Sequence, residues 1–320
     1  TAGPATGHMI IVARSRSIHG PWQNMPANPL LRCTDAAQPW HSRGHGTLFE
    51  GPGSQWYVIY HAYERDAQGL GRQILLEPVE WTEDGWPAAR GGDLADPLPL
   101  PGGGTGVRPH GFALSDDFAS PSWGWRWTFD RPGPDETARA DFSGEGLVLA
   151  GKGADPSTSS PMCLRAPDRS YRVEVGVELL PAQDDGAGDA GAGDAGAGDA
   201  GAGDAEASAG LLLFFNHRLF LGLEVRPGAL QAWTGGTRTW GGEPLPEDVR
   251  ALELAIVKRE NIVDMHYRVP GAEEWTHYPL TLECSGYHAN TVNDLVSLRP
   301  AVFAAGNGRA RLTRLRYRAL

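Results

Sequence analysis

The chain is poor in cysteine: Cys33, Cys163 and Cys284 are odd in number, far apart and without metal-type spacing. That pattern argues against a disulfide framework and predicts three buried small hydrophobes. No apolar run reaches the length of a membrane span, which argues against a membrane as partner. No basic leader opens the chain, and no Met stands at its start, TAGPATGH. A fragment or a processed product fits this opening, so the missing leader says nothing about localisation. Sustained helical periodicity is absent as well, which leaves β-structure as the expected class.

Positive charge is scarce. The formal net charge is −11, but the run from Asp184 to Glu206 holds seven acidic residues and no basic one, so only about −4 remains on the rest. Such a balance disfavours nucleic acid as partner and is compatible with a neutral sugar. The 41% of apolar residues in 320 are enough for one large or two medium domains.

What is present centres on Gly44 to Trp81, GHGTLFEGPGSQWYVIYHAYERDAQGLGRQILLEPVEW. Trp56 to Tyr63 reads as a strand with apolar residues on both faces, as expected between two neighbouring sheets, and Gln73 to Trp81 reads as a second strand. The glycines around His45 and before Arg72 let the backbone approach closely and would send both side chains into one cavity, a candidate sugar site. For a His beside glycine a structural hydrogen bond is the commoner role. An Arg after a turn commonly ends in a surface salt bridge.

Gly91 to Gly111 cannot form a regular element and predicts a linker. Beyond it the pattern is β to the end: Tyr171 to Leu180 alternates cleanly, and Leu211–Phe215, Leu219–Val225, Leu252–Lys258, Ile262–Arg268 and Leu312–Leu320 continue the series. Two packed antiparallel sheets follow naturally. One segment stands apart. From Gly186 to Ala205 the pentapeptide GAGDA repeats, without any aromatic or branched residue, and predicts a disordered loop within an insertion at 184–208. A calcium-binding repeat would need large apolar residues, and none is there.

Two sets of motifs carry a resemblance. GHG, WYVIYHAYE, LGRQILLEPVEW and DGWP, preceded by HMIIVARSRSIHGPW from His8 to Trp22, resemble the last propeller blades of family 43 glycoside hydrolases, the β-xylosidase and arabinofuranosidase group. DDF, AGLLLFF, SGYHAN, SLRPAVFAAGNG and RLRYRAL resemble the concanavalin A-like β-sandwich that follows this propeller in many family members. The fold expected is therefore all-β: an incomplete five-bladed β-propeller at 1–101, a linker at 102–114, and an antiparallel jelly-roll sandwich at 115–320.

The resemblance implies an inverting hydrolase of terminal sugars, acting on xylo- or arabino-oligosaccharides with one carboxyl as acid and one carboxylate as base. In the family these carboxylates come from earlier blades, so no catalytic residue is expected in this chain. Glu50, Glu64, Glu77 and Glu80 lie outside the family's acid motif. The resemblance places Arg72 on sugar hydroxyls and catalytic carboxylates, a role suited to its fork of donors, and His45 on the central channel. His8 would lie near the acid's strand. Trp40 departs from the family pattern and either stacks on a sugar or packs in the core. No cofactor is required by the resemblance, which allows a Ca2+ ion in the channel and leaves a homo-oligomer open. Two rivals concern the sandwich: a non-catalytic module binding sugar on Trp233 and Trp240, or a brace for the propeller.

Overall fold

The computed structural model describes residues 5–89, 112–181 and 205–320. Nearly all of the predicted GAGDA loop and of the predicted linker lies outside the described residues. Two compact units are present: residues up to 111 together with 288–297, and 112–287 together with 298–320. Residues 288–297, read from sequence as part of the sandwich, thus group with the first unit.

The first unit is antiparallel throughout. Met9–Ile10 pairs with Leu31–Arg32, and Ala13–Arg14 pairs with Gln23–Asn24. Trp40–Glu50, Trp56–Glu64, Arg72–Trp81 and Pro87–Ala89 then form a four-stranded sheet in chain order, the layout of one propeller blade. Ile10, Leu31, Val58, Tyr60 and Val79 make its core. The hairpin that carries ARS is tied to the turn that carries DGW: Arg14 Nη1 donates to the carbonyls of Asp84 and Gly85 at 2.7 and 3.0 Å. Its guanidinium also stacks on Trp86 at 3.8 Å.

The strand Trp56–Glu64 differs from expectation on one side. Val58, Tyr60 and Ala62 are buried, whereas Ile59 and its neighbours across the sheet, Leu76 and Ile74, are exposed, Ile74 by 78%. Apolar residues do occupy both faces, but among the described residues a sheet covers only one of them.

The second unit is a two-layer sandwich, with sheets of seven and eight strands. The seven-stranded sheet centres on Tyr171–Leu180 between Ala251–Arg259 and Arg309–Ala319. Tyr171, Val173, Val175, Val177 and Leu179 are all buried, in line with the alternation. In the other sheet Ser208–Asn216 lies between Leu219–Arg226 and Arg299–Ala305 and is buried at every residue. Ser208, placed by sequence at the end of the insertion, opens this strand. Near the start of the unit Asp116 is buried and accepts hydrogen bonds from Trp127 Nε1 at 2.8 Å and from the Phe118 amide at 2.9 Å. The three cysteines are buried and unpaired.

Candidate functional site

The site forms at one end of the four-stranded sheet, where the strand Trp40–Glu50 shifts register against Trp56–Glu64 twice, between His41 and Gly44 and between Gly44 and Thr47. Ser42 and His45 sit at these shifts in the left-handed region, with φ of 54° and 57°. That conformation costs a non-glycine residue about 1–2 kcal/mol, and such bulges re-aim side chains near functional sites. Here they bring His45 beside His61, the residue opposite Gly44.

His45 Nδ1 lies 3.1 Å from His61 Nε2. His8 completes a triangle, its ring centre 5.5 Å from that of His45 and 5.3 Å from that of His61. His8 Nδ1–H donates to the Ser42 carbonyl at 3.1 Å. The glycines of GHG make room for this packing: a Cβ on Gly44 would stand 2.2 Å from His8 Cε1, and one on Gly46 would stand 2.4 Å from Ile10 Cδ1.

Arg72 opens the next strand opposite Tyr63, its guanidinium 6.0 Å from that ring. The preceding turn needs Gly71, whose φ is 75° and whose backbone is approached by the Val296 carbonyl, 3.2 Å from where a Cβ would lie. Nε and Nη2 of Arg72 are buried without a hydrogen-bond partner among the described residues, and so is Nδ1 of His61.

Burial, followed by the positive charges of Arg72, His8 and His45, pushes His61 down to about 4. Burial likewise lowers His8, against the opposing effect of its bond to Ser42. Four basic side chains thus share one corner, two of the imidazoles are held neutral at neutral pH, and the guanidinium supplies a fixed positive charge.

Of the four residues singled out in the sequence, His8, His45 and Arg72 come together. Trp40 does not: it starts its strand opposite Glu64, and no ring contact or hydrogen bond among the described residues joins it to the histidines. Sequence reasoning missed His61, whose only signal was a polar residue inside the apolar run WYVIYHAYE. Glu77 is a core residue, buried and accepting the Tyr60 hydroxyl. Among the described residues no group of His, Cys, Asp and Glu is arranged to hold a metal. An imidazole trio offers nitrogen, whereas Ca2+ takes about six to eight oxygen ligands, so these residues do not by themselves fit a Ca2+ ion. Trp233 is buried and donates through Nε1 to Glu224 at 2.9 Å, which removes it as a sugar platform, while Trp240 is fully exposed.

Residues 1–87 match the model of the family described as glycosyl hydrolases family 43. A Bacteroides ovatus protein named a non-reducing end α-L-arabinofuranosidase is 30% identical over 139 residues, covering 40% of this chain and 25% of that protein. A Vibrio xylan 1,3-β-xylosidase is 30% identical over 101 residues, 27% of this chain and 19% of the relative. Among solved structures, the family 43 protein BlXynB of Bacillus licheniformis superposes with a TM-score of 0.76 at 21% identity, over 99% of this chain and 61% of that one. A xylan β-1,4-xylosidase from Bacillus halodurans gives 0.75 at 21%, over 96% and 59%.

The chain therefore has the fold of family 43 glycoside hydrolases. It spans about three fifths of the solved structures it matches, and a quarter or less of the two curated relatives.

Proposed function

We propose that this chain supplies the sugar-contacting corner of a family 43 hydrolase whose intact form removes terminal xylose from xylo-oligosaccharides with inversion. The acid and base carboxylates would come from sequence outside these 320 residues. One observation carries the reading: Arg72 keeps buried Nε and Nη2 atoms without a partner beside three histidines. A buried donor left unpaired costs about 1–3 kcal/mol, more when charged, so this corner favours oxygen acceptors, and sugar hydroxyls and catalytic carboxylates are such acceptors. Positioning alone moves no proton between acid, base and water.

The chain by itself should not hydrolyse aryl β-xylosides or aryl α-L-arabinosides. Turnover abolished by one carboxylate substitution within residues 1–101 would show that the chemistry lies inside this chain. Arabinofuranosidase specificity is the second reading, favoured by the Bacteroides ovatus relative. Comparing kcat/KM for the two aryl glycosides in the intact protein separates them.

A further inference from the structure

We propose that His61 is a positioning residue that holds His45 as a hydrogen-bond donor toward the pocket, the proton of their shared bond residing on His61 Nε2. The functional meaning of this rests on the sugar-contacting reading above. The proton's location does not.

When the rings are neutral, one proton lies between His45 Nδ1 and His61 Nε2, which are 3.1 Å apart. If His45 Nδ1 held it, His61 Nε2 would accept, and the remaining proton of His61 would sit on Nδ1. That atom is buried and has no partner among the described residues, so an N–H would be stranded there. If His61 Nε2 holds the proton, Nδ1 is a bare nitrogen instead. A buried N–H without an acceptor is avoided, and the positive charge of Arg72 acting on the His61 ring adds to the cost of placing a proton there.

With Nδ1 of His45 accepting, its other nitrogen, Nε2, must carry a hydrogen. His45 is exposed, so this N–H is available to a ligand oxygen. The left-handed backbone at His45 fixes where the ring starts, and His61 fixes which nitrogen is protonated. Together with Arg72 the corner then presents donors, and the ligand must bring acceptors. His8 cannot replace His61 in this role, because its Nδ1–H is committed to the Ser42 carbonyl.

The test uses the 15N-labelled chain near neutral pH, with long-range 1H–15N spectra and scalar coupling across the N–H···N bond. The expected result is a proton bonded to His61 Nε2 and coupled to a bare His45 Nδ1, with His45 Nε2 protonated. A proton bonded to His45 Nδ1 would overturn the proposal, and so would His45 nitrogens averaged between two tautomers. His61→Gln, whose amide N–H2 can still donate, should keep the His45 pattern, whereas His61→Leu should let it average. An unchanged His45 tautomer in His61→Leu would show that His61 does not set it. Inactivity of the intact protein would sink the hydrolase reading and leave these spectra untouched.

Discussion

The strands Trp56–Glu64 and Ser208–Asn216 have similar apolar, aromatic sequences and opposite fates. Every residue of the second is buried, and strands flank it on both edges. The first buries Val58, Tyr60 and Ala62 but leaves Ile59 exposed beside Leu76 and Ile74. One charged cluster in each unit shows a further contrast, although buried unpaired atoms such as Arg126 Nε, Glu224 Oε1 and Arg299 Nε occur in the sandwich as well. In the sandwich Glu136 is buried with Lys152, Arg139 and the Gly133 amide all bonded to it, whereas in the first unit Arg72 and His61 keep buried polar atoms unpaired. The Glu136 cluster is closed upon itself, and the Arg72 corner is open.

The largest effect expected from this comparison is on the closed side. Burial would raise the Glu136 carboxyl, but hydrogen bonds from Lys152, Arg139 and Gly133 outweigh it and hold the group below its ordinary value. Glu136→Ala should cost the sandwich about 3–5 kcal/mol, since two cations would lose their buried partner. Urea unfolding followed by tryptophan fluorescence measures this, and a cost under about 1 kcal/mol would mean that the network behaves like a surface ion pair.

On the open side the expected effect is smaller and depends on pH. With His61 at about 4 against an ordinary 6.5, the folded chain binds fewer protons than the unfolded chain between those values. Its stability should therefore fall as pH drops from about 6.5 toward 4 and level off below. Arg72→Met removes the second cause of the shift, after burial, and should move the His61 titration back up toward 6.5, as read by NMR. No movement would mean that burial alone sets it.

The smallest effect belongs to the uncovered face. Ile74→Ser should change stability by less than about 0.5 kcal/mol, because the side chain is already in water. A larger loss would show that this face is covered in solution, for example by a second copy of the chain.

Much of this difference could be read from residues, but not all of it. The alternation in Tyr171–Leu180 and the continuous apolar run of Leu211–Phe215 determine burial by themselves, since a strand has a strict period of two. The exposure of Ile59 was not legible, because an apolar residue facing a neighbouring sheet and one facing water look alike in sequence. His61 escaped notice for another reason: two bulges bring it beside His45, and bulges in this strand depend on Ser42 and His45 taking left-handed backbone that nothing in their residue types requires. Residues 288–297 overlap the sandwich-like motifs SGYHAN and SLRPAVFAAGNG at their two ends, yet group with the first unit. Such grouping follows from long-range contacts that a local pattern does not encode.

On the proposed reading, Arg72 is left open because a sugar and a catalytic carboxylate complete it. Kinetics of Arg72→Lys on an aryl β-xyloside in the intact hydrolase test this most directly. Lysine keeps the charge but loses the paired donors, and contacts that strengthen as charge develops act on turnover more than on binding. The expected result is a fall in kcat of about 100-fold with a smaller change in KM. Wild-type kcat/KM in Arg72→Lys and in Arg72→Ala would contradict it.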